Sequence, residues 1–266
     1  MLSSNLTEDQ NTDLPRRLYR ALTAGREDLL PLLDDPSREV LKAVLKNPEL
    51  DEQCLLLILK RRDLSDDLLT AMYRLPLTEA SHRLKVALVH HHATPDHIVL
   101  TLIPHLYLFE LVTVCFLPGI APDRRLAAER ALIKRLAETP LGSKVTLARR
   151  APSEVVEALL HEGQPHLMAA CLDNPRLKQA AILRFLTGPG ATAETISLVA
   201  RHPRWKFRHD LKLAILKNSK TPLIWFTALL PGLSLAEVKN IYVSSRVSAA
   251  QKACVAEELQ RRKGRR

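Results

Sequence analysis

The chain has 266 residues and a formal net charge of +10, with 46% hydrophobic, 26% charged and only 4% aromatic residues. That is the balance of an ordinary folded protein of one or two domains, and few aromatics beside abundant Leu and Ala favour packed helices over sheets. No apolar run reaches the roughly 18 residues of a membrane span. The longest, Leu106 to Ile120, is broken by Glu110 and Pro118-Gly119. The polar, acidic start of the chain does not read as a signal peptide, so cytoplasmic residence is expected.

Residues 1–13 read as a polar tail. Ser37 to Lys46 then carries Val40, Leu41, Val44 and Leu45 on one helical face. Asn47-Pro48 ends that helix, because a residue before proline avoids the α region. Glu52 to Lys60 predicts a second helix, apolar nearly all round and so buried on most sides. Ser65 with Asp66 is expected to cap the helix carrying Leu68, Leu69 and Met72. Thr78 is expected to open the next helix, with Leu84, Ala87 and Leu88 as its core face. Thr94-Pro95 reads as an N-cap followed by proline in the first turn. No period-2 run of β-branched residues is long enough for a strand.

The chain aligns on itself without a gap when shifted by about 127 residues. Asn47-Pro48 meets Asn174-Pro175, and His82, Leu84, Lys85 and Ala87 meet His209, Leu211, Lys212 and Ala214. Thr94-Pro95 meets Thr221-Pro222, and Glu110 meets Glu237. Two tandem copies of one unit are therefore expected, at 14–140 and 141–262, with a basic tail at 263–266. In the second copy Leu211, Ala214 and Ile215 are the expected core.

Short helices with frequent breaks cannot bury their faces alone and must stack on neighbours, which favours an α-solenoid over a four-helix bundle. The segments 36–48, 64–69 and 200–218 resemble units of HEAT-like and leucine-rich-variant α-solenoid repeat families of uncharacterised bacterial type. The resemblance extends from about 14 to 262. It implies an all-α, right-handed α-solenoid and a non-catalytic scaffold for protein–protein interaction. One variant class carries a cysteine-rich iron–sulfur segment ahead of its repeats; residues 1–35 here hold no cysteine.

Charge divides unevenly. Residues 1–140 hold 18 Lys and Arg against 20 Asp and Glu, whereas 141–266 hold 21 against 9. The second half is thus expected to meet an acidic protein partner or, as the alternative, nucleic acid. The densest cluster is Arg201, Arg204, Trp205, Lys206, Arg208 and Lys212, with Trp205 as the anchor or stacking group. The terminal Arg261, Arg262, Lys263, Arg265 and Arg266 read as a frayed basic tail. His90, His91 and His92 point three ways from one helix and cannot share an ion, so no metal or other cofactor is expected. Cys54, Cys115, Cys171 and Cys254 form no Cys-x-x-Cys pair and read as buried, reduced thiols. Catalytic motifs are absent. A remote enzymatic reading is a DNA glycosylase of HEAT-like architecture, with Trp205, Arg208, Asp210 and Trp225 as its set.

Overall fold

A computed structural model describes residues 13–263. Among these residues the chain is all helical and carries no strand. It divides into two compact units near the end of one helix, at Leu132/Ile133. The expected boundary was 140/141. The expectations for residues 1–12 and for Arg265 and Arg266 lie outside the described residues.

The first unit contains α1 (Leu14–Thr23), α2 (Arg26–Leu29), α3 (Arg38–Val44), α4 (Glu52–Ile58), α5 (Asp66–Tyr73), α6 (Pro76–Ala80), α7 (His82–His90), α8 (Asp96–Leu102) and α9 (Leu108–Cys115), and α10 (Pro122–Arg135) closes it. The second contains α11 (Leu141–Arg150), α12 (Ser153–His161), α13 (Pro165–Asp173), α14 (Gln179–Thr187), α15 (Ala193–Arg201), α16 (His209–Leu216), α17 (Leu223–Leu229), α18 (Leu235–Val243) and α19 (Ala249–Lys263). Every helix of the second unit starts 127 residues after one of the first, from Leu14 and Leu141 to Pro122 and Ala249. In the second unit α11 packs on α13 and α13 on α15, while α12 packs on α14 and α14 on α16. In the first, α1, α3 and α5 follow one another, and α4 lies between the 3-10 turn Leu30–Asp34 and α7.

Three kinds of polar side chain close the helix ends. Asn47 donates to the carbonyls of Ala21 and Ala24 while its own carbonyl accepts from Glu49 N–H. Asn174 repeats this with Ala148, Ala151 and Arg176. Both asparagines are buried, and each satisfies carbonyls that a helix C-terminus leaves without partners. Thr94 and Thr221, expected as N-caps, instead donate backwards to Leu88 and Ile215. They finish the preceding helix, and the prolines beside them hold the N-cap positions of α8 and α17. Thr78 donates in the same way to Met72, and Ser81 rather than Thr78 caps α7. Ser65 does sit at the N-cap of α5, but its hydroxyl makes no capping bond.

Arginines act across longer spans. Arg61 donates to the carbonyls of Leu33 and Asp35, Arg124 to Thr94, Arg204 to Asn174 and Pro175, and Arg262 to Leu230 and Leu233. Each reaches a helix end about one helical pair earlier in the chain. The planar guanidinium suits this task because its donors are fixed in a fork. Arg262 also pairs with Glu258, so it belongs to α19 and is not part of a frayed tail. Arg261 pairs with Glu258 as well.

The core is aliphatic. Leu84, Leu88, Leu211 and Ile215 are buried as expected, but Ala87 and Ala214 are only half-buried. Cys54, Cys115 and Cys171 are buried free thiols, and burial pushes Cys115 and Cys171 up to about 12, which keeps them protonated and inert. Cys254 is half-buried against the core around Phe226 and Val238.

Candidate functional site

The two half-buried alanines mark the same feature in each unit. Ala87 lies in a groove of about 930 Å³ between the C-terminal end of α4 and α7, closed on one side by Pro118. Ala214 lies in a groove of about 580 Å³ between the C-terminal end of α14 and α16, closed by Ser245. Pro118 and Ser245 are themselves 127 residues apart. Corresponding positions thus form a groove in both units.

The linings differ. The first groove has an apolar floor of Leu56, Leu57 and Ala87, with Leu57 41% exposed. Its rim carries Lys60, Arg62, Arg83, His90 and His92, and no carboxylate lines it. Lys60 and Arg62 are exposed and make no ion pair among the described residues; Arg83 holds Glu52 loosely at 3.3 Å. Arg61 also lines the groove, but its guanidinium is committed to Asp63 and to the helix-end carbonyls. In the second groove the counterparts of Lys60, Arg62 and Arg83 are Thr187, Pro189 and Asp210.

The histidines of the first groove have separate roles. His91 is buried; its Nδ1 accepts from Ala93 N–H, so its Nε2 carries the proton and donates to the Arg61 carbonyl at 2.7 Å. This bond ties α7 to the turn after α4. His92 stacks on it with ring centroids 4.9 Å apart. Burial lowers the pKa of His91 below the usual histidine value, and partial desolvation by its neighbours does the same for the exposed His90. Among the described residues, no group of three His, Cys, Asp or Glu could hold a metal ion.

The cluster predicted in the second unit is split by the fold. Trp205 is 3% exposed and its indole donates to the Leu172 carbonyl at 3.0 Å, so it is a core residue and cannot act as an anchor or stacking group. Arg204 lies over its ring at 4.4 Å and is bound to helix-end carbonyls. Arg201, Lys206 and Arg208 are exposed and make no ion pair among the described residues, and Lys212 is half-buried. The exposed aromatic there is Phe207, 74% exposed, with Lys206 Nζ 4.8 Å from its ring centre. Sequence reasoning missed it because two aromatics two residues apart in a turn do not reveal which one is buried. Apart from Arg208, the members of the glycosylase set are engaged elsewhere. Asp210 accepts from Gln179, the Trp225 indole donates to Ser197, and Trp205 is buried.

No family model, curated protein or solved structure matches this chain. Among the described residues, no helix is long and apolar enough to cross a membrane.

Proposed function

We propose that the chain is a non-catalytic α-solenoid scaffold of HEAT-like type, built from two tandem copies of one unit, that binds a protein partner in the cytoplasm. The observation that carries this reading is the pair of grooves at corresponding positions with different linings. The helix-ending asparagines Asn47 and Asn174 are the same residue in both units, whereas the groove residues Arg83 and Asp210 differ in charge. A duplicated scaffold that keeps its frame and varies its grooves is what separate binding surfaces require. The free, buried cysteines also suit a reducing compartment.

The test is recovery of partners from nuclease-treated lysate of the source cell, comparing the unaltered chain with Ala87→Trp and Ala214→Trp, which fill the grooves. Loss of specific partners in either variant is expected. An unchanged partner set in both, with folding intact, would sink the reading.

A second reading, nucleic-acid binding, is favoured by one observation: Phe207 stands exposed between Lys206 and Arg208, which, like Arg201, make no ion pair among the described residues. Stacking on an aromatic flanked by cations is a common mode for single strands. Such binding would weaken steeply with salt and would be reduced by Phe207→Ala.

A further inference from the structure

We propose that the groove of the first unit binds a short acidic segment of a protein partner, its carboxylates meeting Lys60, Arg62 and Arg83 and an aliphatic side chain resting on Leu56, Leu57 and Ala87. This rests on the interaction-scaffold reading and specifies the partner's chemistry. It also moves the acidic-partner site away from the half with the larger positive sum.

Net charge alone points to the second unit, but part of that charge is already used. Arg204 and Arg262 hold helix-end carbonyls, and Lys144 holds Glu162 at 2.9 Å. In the first groove Arg61 is committed in the same way, but the cations around it are not. Lys60 and Arg62 are unpaired among the described residues, Arg83 has one loose partner, and no carboxylate shares the lining. A cationic rim over an apolar floor is complementary to a segment that alternates carboxylates with an aliphatic side chain.

The surroundings select a short ligand. Residues 1–140 hold more Asp and Glu than Lys and Arg, and exposed Asp66 and Asp67 follow the groove in sequence at the start of α5. The cations at the groove are thus not part of a general excess of positive charge in this half, which suits a segment confined to the groove better than a long polyanion. No Phe, Tyr or Trp lines the groove, and its rings are those of His90, His91 and His92, a smaller stacking surface than single-strand binders commonly present.

The experiment is fluorescence anisotropy on the full chain with three labelled probes: a Glu- and Leu-containing peptide, the same peptide with Gln for Glu, and a thymidine oligonucleotide. The acidic peptide is expected to bind. Lys60→Ala/Arg62→Ala/Arg83→Ala is expected to weaken it roughly tenfold, while Lys60→Arg/Arg62→Lys/Arg83→Lys retains most of the affinity. Lys206→Ala/Arg208→Ala in the second unit should leave it unchanged. All three variants alter exposed side chains, and circular dichroism melting checks that they fold. The inference is overturned if the acidic peptide does not bind, if the Gln peptide binds as well, if the alanine triple variant binds normally, or if the oligonucleotide binds more tightly and the same triple variant abolishes it. Partner recovery that remains sensitive to Ala87→Trp or Ala214→Trp would then leave the scaffold reading standing.

Discussion

The two units put helices at matching positions but solve the same local problem with different residues. Position 78 and position 205 correspond, and both follow a proline, Pro76 and Pro203. In the first unit Thr78 sits in the short helix Pro76–Ala80, and its hydroxyl is satisfied six residues back at Met72. In the second unit residues 203–207 form a turn, and Trp205 fills the interior and bonds back to Leu172. A further contrast lies at Pro31, whose counterpart is Ala158. Proline lacks the N–H that an α-helix needs, so the first unit breaks into α2 and a 3-10 turn where the second runs α12 unbroken. The frame tolerates these exchanges because each keeps its buried polar atoms paired, which is the costly condition to violate.

Truncating Trp205 should therefore give the largest difference between corresponding positions. Trp205→Ala is expected to cost about 3–5 kcal/mol, since it removes a large buried side chain and leaves the Leu172 carbonyl without its partner. Thr78→Ala should cost about 1–2 kcal/mol, mainly the unpaired Met72 carbonyl. Urea unfolding of both variants checks this. Similar losses would mean that Trp205 is not a core residue, and the surface reading of it would return.

Next come the two asparagines. Asn47→Ala and Asn174→Ala each strip a buried amide from two helix-end carbonyls, so each should cost about 2–4 kcal/mol. Because the bonding pattern is the same, the two values should lie within about 1 kcal/mol of each other. A difference much larger than that would break the correspondence at the position where it is closest.

Helix ends were legible in the sequence where punctuation has a mechanism. Asn47-Pro48 does stop α3, and the 127-residue shift predicts where helices begin in the second unit. The groove was not legible. Its lining comes from three separate stretches, around Leu57, around Ala87 and at Pro118, and only folding brings them together. Ala87 read as core because it lies at the edge of the face defined by Leu84 and Leu88, and a methyl group reaches too short a distance to report its own burial. The basic cluster misled for another reason: a count of charges cannot distinguish an arginine that caps a helix from one that is free.

The smallest expected effect concerns acid stability and two related caps. In the first unit Glu110 accepts from the backbone N–H of Tyr107 and faces His82 at 2.8 Å. In the second Glu237 accepts from both the hydroxyl and the backbone N–H of Ser234 and faces His209. The Ser234 hydroxyl, its N–H and then His209 hold Glu237 down at about 2 against the usual 4.5. A carboxylate lowered in the folded state contributes stability that is complete above its unfolded pKa. That contribution fades as pH falls from about 4.5 towards about 2. Ser234→Ala removes the largest cause, so Glu237 should titrate closer to its usual value, and the variant should have less of this acid-sensitive stability to lose over that interval. A carboxyl NMR titration of Glu237 checks the shift, and urea unfolding across the same pH interval checks its consequence. Tyr107→Ala is the matching control, because the bond it leaves to Glu110 comes from the backbone. If Ser234→Ala left the Glu237 titration unchanged, the hydroxyl would not be what separates the two caps.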